Sequence, residues 1–384
     1  MKLLILAPDA WSVLFPDSSY IFGGIERETA YYSRLLRMEH EVDVTVVTKD
    51  QGVRKSIIDG VVVMAHPTMK GDGYWQNRRT LKGRLLFRLK GDRFAGTTER
   101  EFYERIAPDI VYTQGPSPYA LSLMDFCKDR KLKFIFRIAH DMDLGGTSLE
   151  KNAIEKWTRM KIEELHRLFS GADLLLVQSS FQQQIALERF GKKAVVMYNP
   201  IDTEADETST TEKKYDLLWV GKNNEVKRVE LMIELARMLP GKKVCIICNR
   251  TNHLGWESII RNVPTNVKFL ESVRADKIES YYKSSRVFVS TSSGEGFPNT
   301  FLEACRFGVP IISMCCDPNS ILSEHGAGIL CGDDINSLTR VVRSLLDENA
   351  VYERCSTQAR EYVKQFHNAS SIVAELFSQI KALA

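Results

Sequence analysis

The chain has 384 residues, 44% hydrophobic and 26% charged, with 52 basic against 49 acidic side chains and a formal net charge of +3. At about 150 residues per domain this length fits two domains, and the composition excludes wholesale disorder. The charge is too small to mark a nucleic-acid binder, and no run approaches the ~20 apolar residues of a spanning helix.

The opening MKLLILAPDA resembles a signal peptide, but its apolar run is short and stops at Pro8-Asp9, so it reads as a buried first strand. Further short β-branched runs follow at Val42–Val47, Val61–Met64, Ile110–Tyr112, Phe134–Ile138, Leu174–Val177 and Ala194–Met197. Amphipathic stretches at Glu26–Arg37, Tyr119–Asp129, Lys151–Phe169 and Phe181–Arg189 lie between them. That alternation predicts a mostly parallel sheet with helices on both faces. Asn199–Lys214 is polar and acidic and reads as a linker. A second series then begins, with strands at Leu217–Val220, Lys243–Cys248, Val267–Leu270, Val287–Ser290 and Pro310–Ser313. It closes with helices at Ile335–Leu346, Ala350–Phe366 and roughly Ser370–Leu383. The expected fold is therefore α/β, with two doubly wound, Rossmann-like parallel-sheet domains facing a central cleft. Their bounds are 1–198 and 215–367, with 199–214 as linker and a C-terminal helix, about 368–384, that can pack back on the first domain. The eight cysteines fall mostly in apolar strand or helix patterns, which fits a reduced, cytoplasmic chain.

Ligands of open parallel sheets sit beyond the carboxyl ends of the strands, so the strand-to-helix loops carry the chemistry. The most informative is STSSGEGFPNTFLEACRFGVP at Ser290–Pro310. Pro298 suits a first helical position, and the amides of Phe297–Thr300 at the helix start suit an anion. Gly296 allows close backbone approach, while Glu295 and Glu303 offer two acceptors at two depths. A plain capped helix with solvated glutamates would use the same residues. In LLWVGKNNEVKR, Gly221 ends a strand and the loop brings Lys222, Lys227 and Arg228, cations suited to a diphosphate and equally at home in a solvated loop. Gly23-Gly24 in IFGGIERE precedes a helix, and His140 in RIAHDMD follows a strand. Asp141-x-Asp143 matches a short metal-binding pattern that also arises by chance. No dinucleotide fingerprint, phosphate loop, zinc-protease or nucleophile-elbow motif occurs.

In order, GGIE at Gly23–Glu26, HD at His140-Asp141, ADLLLVQSSFQ at Ala172–Gln182, NPID at Asn199–Asp202, VGK…K at Val220–Lys227 and EGFPNTFLE at Glu295–Glu303 resemble the retaining GT-B glycosyltransferases of family four. The resemblance implies transfer of a sugar from a nucleotide-diphosphate sugar, used as co-substrate, with no further cofactor and no metal. It implies Glu295, Lys222, Lys227 and His140 as catalytic residues. Glu295 would meet the donor sugar, the lysines the diphosphate, and Glu303 the ribose. Gly23, Gly24, Gly221, Arg228, Gly296, Phe297, Pro298, Asn299 and Thr300 would line the donor, with the base near Asn249, Arg250 and Val273, between Glu271 and Arg274. Three positions depart from the pattern: Lys222 stands where Arg is more frequent, Arg228 where Gly is usual, and Cys316–Asn319 where many relatives turn on Gly-Gly.

The implied acceptor is a glycan or lipid-linked glycan in cell-surface polysaccharide or glycoconjugate synthesis, and no nucleic-acid partner is implied. Lys70–Arg93 holds eight basic and two acidic residues with interspersed Trp75, Leu85, Leu86 and Phe87. That composition suits peripheral contact with the anionic inner face of the cytoplasmic membrane, or a solvated loop. A nucleotide-sugar epimerase, a non-catalytic nucleotide-sugar binder and a metal-dependent single-domain transferase are the alternatives the sequence leaves open.

Overall fold

The computed structural model describes residues 1–15, 23–50, 52, 55–70, 99–146, 151–204, 212–251 and 255–383. It divides into two compact units, Met1–Tyr198 with Ser370–Ala384, and Asn199–Ala369. Most of Lys70–Arg93 and part of the Asn199–Lys214 segment lie outside the described residues.

The first unit holds an eight-stranded sheet: β1 (Lys2–Leu6), β2 (Asp43–Asp50), β3 (Lys55–Ile58), β4 (Val61–Lys70), β5 (Ile110–Gln114), β6 (Lys133–Arg137), β7 (Leu174–Val177) and β8 (Val195–Val196), in the order β3-β4-β2-β1-β5-β6-β7-β8. All neighbours are parallel except β3 and β4. That antiparallel hairpin is an addition to the sequence reading. Its two-residue turn is Asp59-Gly60, both at positive φ (52° and 77°), the backbone that Asp-Gly favours between strands.

The sheet buries both faces because successive side chains alternate: Leu4 and Leu6 join one apolar core, Leu3 and Ile5 the other. The helices around it are α1 (Trp11–Leu14), α2 (Gly24–His40), α3 (Glu99–Ile106), α4 (Pro118–Arg130), α5 (Lys151–Thr158), α6 (Ile162–Gly171) and α7 (Ser180–Phe190). The single helix expected over Lys151–Phe169 is two. Arg159 adopts φ 55°, the Thr158 hydroxyl bonds back to Ile154 O (2.8 Å), and Glu164 accepts the Lys161 N–H (2.8 Å) to start α6.

The second unit is a six-stranded, fully parallel sheet of β9 (Tyr215–Lys222), β10 (Val244–Asn249), β11 (Val267–Leu270), β12 (Ser285–Ser290), β13 (Ile311–Ser313) and β14 (Gly328–Leu330), in the order β11-β10-β9-β12-β13-β14. Its helices are α8 (Val229–Met238), α9 (Trp256–Arg261), α10 (Ala275–Lys283), α11 (Asn299–Arg306), α12 (Ile335–Asp347) and α13 (Asn349–Phe366). The start of the expected linker is ordered structure: Asn199, Ile201 and Thr203 are buried, and Ile201 bridges in parallel to Asn368. The last helix, α14 (Ala369–Leu383), returns to the first unit, where Ile372, Val373, Leu376 and Ile380 enter its core and Phe377 stacks on His40.

Strand β14 is short and carries no β-branched run, so sequence patterning misses it. A Cβ at Gly328 would stand 1.8 Å from the Ile311 carbonyl oxygen, so the strand can lie there only with glycine at this position. Gly328→Ala is expected to cost at least about 2 kcal/mol in urea unfolding, the upper range of overpacking penalties, because the clash is with backbone. A variant as stable as wild type would show that β14 does not pair as described.

Candidate active site

In the second unit the strand order reverses between β9 and β12, the first and fourth strands of the sheet. Chains leaving their carboxyl ends run in opposite directions and leave a crevice, the usual ligand position in such sheets. The two loops opening there are Gly221–Arg228 and Thr291–Pro298, the two the sequence singles out. The corresponding reversal in the first unit lies between β1 and β5.

The two loops of the second unit are stitched together through Thr291. Trp219, buried on β9, donates its indole N–H to the Thr291 hydroxyl at 2.9 Å. That hydroxyl faces the carbonyls of Lys227 (2.6 Å) and Arg228 (3.0 Å). Ser293 N–H donates to Val226 O at 2.9 Å, and Arg228 Nε to Thr291 O at 2.6 Å. Lys227 Nζ then meets Glu295 Oε1 at 2.5 Å, with both side chains largely buried. The lysine and the glutamate expected at the donor are thus one rigid pair. Lys222 ends β9 with its side chain exposed, and no such contact joins it to Glu295. Trp219 also explains Gly221: a Cβ there would lie 2.7 Å from the indole, so this glycine makes room for the ring.

Arg228, expected at the donor, is engaged within its own unit. It sits at φ 51°, a backbone that favours glycine, which accounts physically for Gly being usual at this position. Its guanidinium reaches Asp333 (2.7 Å), Cys315 Sγ (3.3 Å) and the Thr291 carbonyl, so it braces the loop. The Cys316–Asn319 turn makes the same substitution: Asn319 and Ser320 take positive φ (52° and 53°) where glycines would serve.

Helix α11 begins one residue later than expected, with Pro298 as its N-cap and Asn299 first. Gly296, Phe297 and Pro298 are buried and Asn299 and Thr300 half-buried, and Glu303 is buried one turn on. Asn199 holds this helix start through Phe297 O (3.3 Å) and Asn299 Oδ1 (3.1 Å). His367 Nδ1 pairs with Asn199 O at 2.8 Å.

Between the lysines, Asn223 is only 2% exposed, and its Nδ2 has no hydrogen-bond partner among the described residues. A buried donor left so costs about 1–3 kcal/mol unless a ligand or water accepts from it. Patterning gives no signal for it. Asn249 closes the neighbouring strand, its carbonyl accepting from Asn223 N at 2.9 Å. Arg250 is exposed and lies over Trp256. Val273 packs into the core after β11, two strands from the reversal.

In the first unit, Gly23 caps α2 and its N–H donates to Glu26 Oε2 at 2.7 Å. One turn into α2, Glu28 is buried against Arg137 at 2.7 Å and accepts from the Tyr32 hydroxyl at 2.8 Å. Burial pushes the Glu28 carboxyl above its ordinary pKa, and the Arg137 charge works against that rise. Arg137 ends β6, so this pair ties the Gly23-Gly24 helix to the strand that delivers His140. His140 Nδ1 accepts from Met142 N at 3.0 Å, and Asp143 Oδ2 accepts the N–H of Ala139 and of His140 at 2.9 Å each. Asp143 Oδ1 takes the Trp157 indole N–H at 2.9 Å, and Asp141 takes Gln182 at 2.8 Å. Both carboxylates of the Asp141-x-Asp143 pattern are thereby engaged in holding the loop.

Comparison with known proteins places this fold. Residues 22–205 match the family described as Glycosyltransferase Family 4, and residues 200–362 match Glycosyl transferases group 1, so the two matches run end to end. The sucrose-phosphate synthase of Thermosynechococcus elongatus superposes over 100% of both chains with a TM-score of 0.75 at 13% identity. This chain is a GT-B glycosyltransferase. WaaG, a glycosyltransferase involved in lipopolysaccharide biosynthesis, aligns over 97% of this chain and 98% of its own at TM-score 0.66 and 13% identity. The pneumococcal O-GlcNAc transferase GtfA, solved with UDP and GlcNAc, aligns over 100% and 99% at TM-score 0.70 and 12% identity. An uncharacterized glycosyltransferase of Haemophilus influenzae is 29% identical over 102 residues, so the match spans 26% of this chain and 28% of that relative. Across the solved GT-B structures the likeness is one of fold; the sequences have diverged.

For this glycosyltransferase the buried Glu28–Arg137 pair is a structural linchpin of the first unit. Glu28→Gln leaves Arg137 without its counter-charge and is expected to cost about 3–5 kcal/mol in chemical denaturation. A loss below about 1 kcal/mol, the level of an exposed pair, would contradict its assigned weight.

Proposed function

We propose that this glycosyltransferase moves a sugar from a nucleotide-diphosphate sugar to a glycan or lipid-linked glycan, and that the crevice between β9 and β12 binds the donor. The observation that carries this is the cluster at the strand-order reversal: Lys227 against Glu295, the buried amide of Asn223, and the start of α11. A diphosphate leaving group gathers negative charge as the glycosidic bond breaks. Lys227, Lys222 and the amides of the helix start supply positive potential preorganised for that charge. Glu295, released from Lys227 as phosphate takes its place, accepts from hydroxyls of the donor sugar, and Glu303 from those of the ribose.

We read the transfer as retaining, as the family-four resemblance implies. The acceptor oxygen forms its bond to the anomeric carbon on the face the nucleotide leaves, the bond from that carbon to the phosphate oxygen breaks, and the acceptor proton passes to the leaving β-phosphate. Charge stabilisation comes from lysines and amides, so the reading needs no metal; undiminished turnover in chelator is the matching check. GtfA was solved with UDP, which supports a nucleotide donor of that type. The basic Lys70–Arg93 sequence supports salt-sensitive contact with an anionic membrane face. Among the described residues no helix is long and apolar enough to cross a membrane.

A nucleotide-release screen with UDP-, GDP-, ADP- and dTDP-sugars, with and without candidate glycans, identifies the donor. Against that donor Lys227→Ala is expected to lower kcat about 10²–10³-fold, the typical loss of one preorganised charge-stabilising donor. Turnover of no nucleotide sugar, or a Lys227→Ala variant at full rate, would overturn the assignment.

A further inference from the structure

Trp157, on α5, is not among the residues expected at the donor. A surface tryptophan ordinarily buries its rings and turns its N–H toward water or a partner at the rim. Trp157 is reversed. Its N–H points inward to Asp143, a carboxylate 4% exposed, while the residue as a whole is 43% exposed. One side of the indole lies against the His140 imidazole, with ring centroids 4.7 Å apart and planes tilted by 38°.

The same Asp143 side chain accepts the backbone N–H of His140, so one buried carboxylate sets the position of both rings. The outcome is an apolar ring presented to solvent, locked in orientation, with its one polar atom already satisfied inside. A group that bonds hydroxyls stands beside it: the His140 imidazole. A ligand matching this surface has an apolar C–H face and hydroxyls around its rim, which is the chemistry of a pyranose ring. It need carry no charge, because none of these groups is a lysine or an arginine.

We propose that Trp157, with His140 beside it, is a stacking platform for a pyranose ring of the glycan acceptor. The acceptor assignment rests on reading the second unit as the one that holds the nucleotide, which leaves the exposed face of Trp157, a residue the resemblance does not place at the donor, for the other substrate. Asp143 is then a positioning residue that holds the platform.

Saturation-transfer-difference NMR on the full chain tests this. The probes are methyl β-glucopyranoside, methyl β-galactopyranoside and methyl α-mannopyranoside for the acceptor, and UDP-glucose for the donor sugar; UDP affinity is measured separately by calorimetry. The ring C–H protons of at least one methyl glycoside are expected to saturate with wild type and with Trp157→Phe. With Trp157→Leu, folded by its thermal melt, that saturation is expected to fall about ten-fold, the scale of losing one aromatic stack. Trp157→Met replaces it should the leucine variant not fold. UDP affinity is expected to be unchanged in these variants, and absence of UDP binding in wild type would count against the donor reading and not against the platform. Saturation of no methyl glycoside, equal saturation in Trp157→Leu, or a loss confined to the sugar protons of UDP-glucose would overturn the proposal.

Discussion

The indole of Trp219 holding the hydroxyl of Thr291 is the contact on which the second unit's chemistry depends. It joins the last buried turn of β9 to the first residue after β12, across the line where the strand order reverses. From that hydroxyl the loop carbonyls of Lys227 and Arg228 are fixed, and from them the Lys227 side chain is aimed at Glu295. A flexible lysine would surrender side-chain freedom on meeting a phosphate, on the order of 1–2 kcal/mol. On the proposed reading the fold has met that cost in advance, and the potential is in place before any charge develops.

The two units solve a similar problem by different means. In the second, the hydrogen bonds around the Thr291 hydroxyl and the Arg228 guanidinium lock the loops. In the first, a buried ion pair between Glu28 and Arg137 ties α2 to β6, and the buried carboxylate of Asp143 organises the turn beyond it. Buried charge is expensive to desolvate, so parting Glu28 from Arg137 would leave an uncompensated charge, and that penalty holds α2 against β6. Cations suited to phosphate gather at the crevice of the second unit, while the turn around His140 in the first offers carboxylate, imidazole and indole groups.

Much of this order was legible in the sequence. The β-branched runs mark twelve of the strands because parallel strands buried on both faces read as continuous apolar stretches. Strands β3 and β14 escaped for different reasons. The Asp59-Gly60 turn was a readable hairpin signal that alternation with helices overshadowed. Strand β14 holds its place through a glycine fitting against a backbone carbonyl, and no propensity reports that. The break at Arg159 likewise follows from side-chain bonds of Thr158 and Glu164 that leave the apolar period intact. At the site, residue types and spacing pointed to Lys227, Glu295 and the start of α11. What Gly221 and Arg228 do locally, one making room for Trp219 two residues earlier and the other bracing the loop through Thr291 and Asp333, depends on folded packing that no motif reports. Asn223, Thr291 and Trp219 carry no motif of their own, and only the meeting of the two loops gives them meaning.

The central claim is that a diphosphate occupies the β9–β12 crevice and displaces Glu295 from Lys227. A crystal structure of the full chain soaked with UDP, and in parallel with GDP, tests it most directly. The account predicts a β-phosphate within hydrogen-bond reach, about 3 Å, of Lys227 Nζ and the first amides of α11, with Glu295 turned away from the lysine. A nucleotide bound elsewhere, or one bound with the Lys227–Glu295 contact intact, would contradict it.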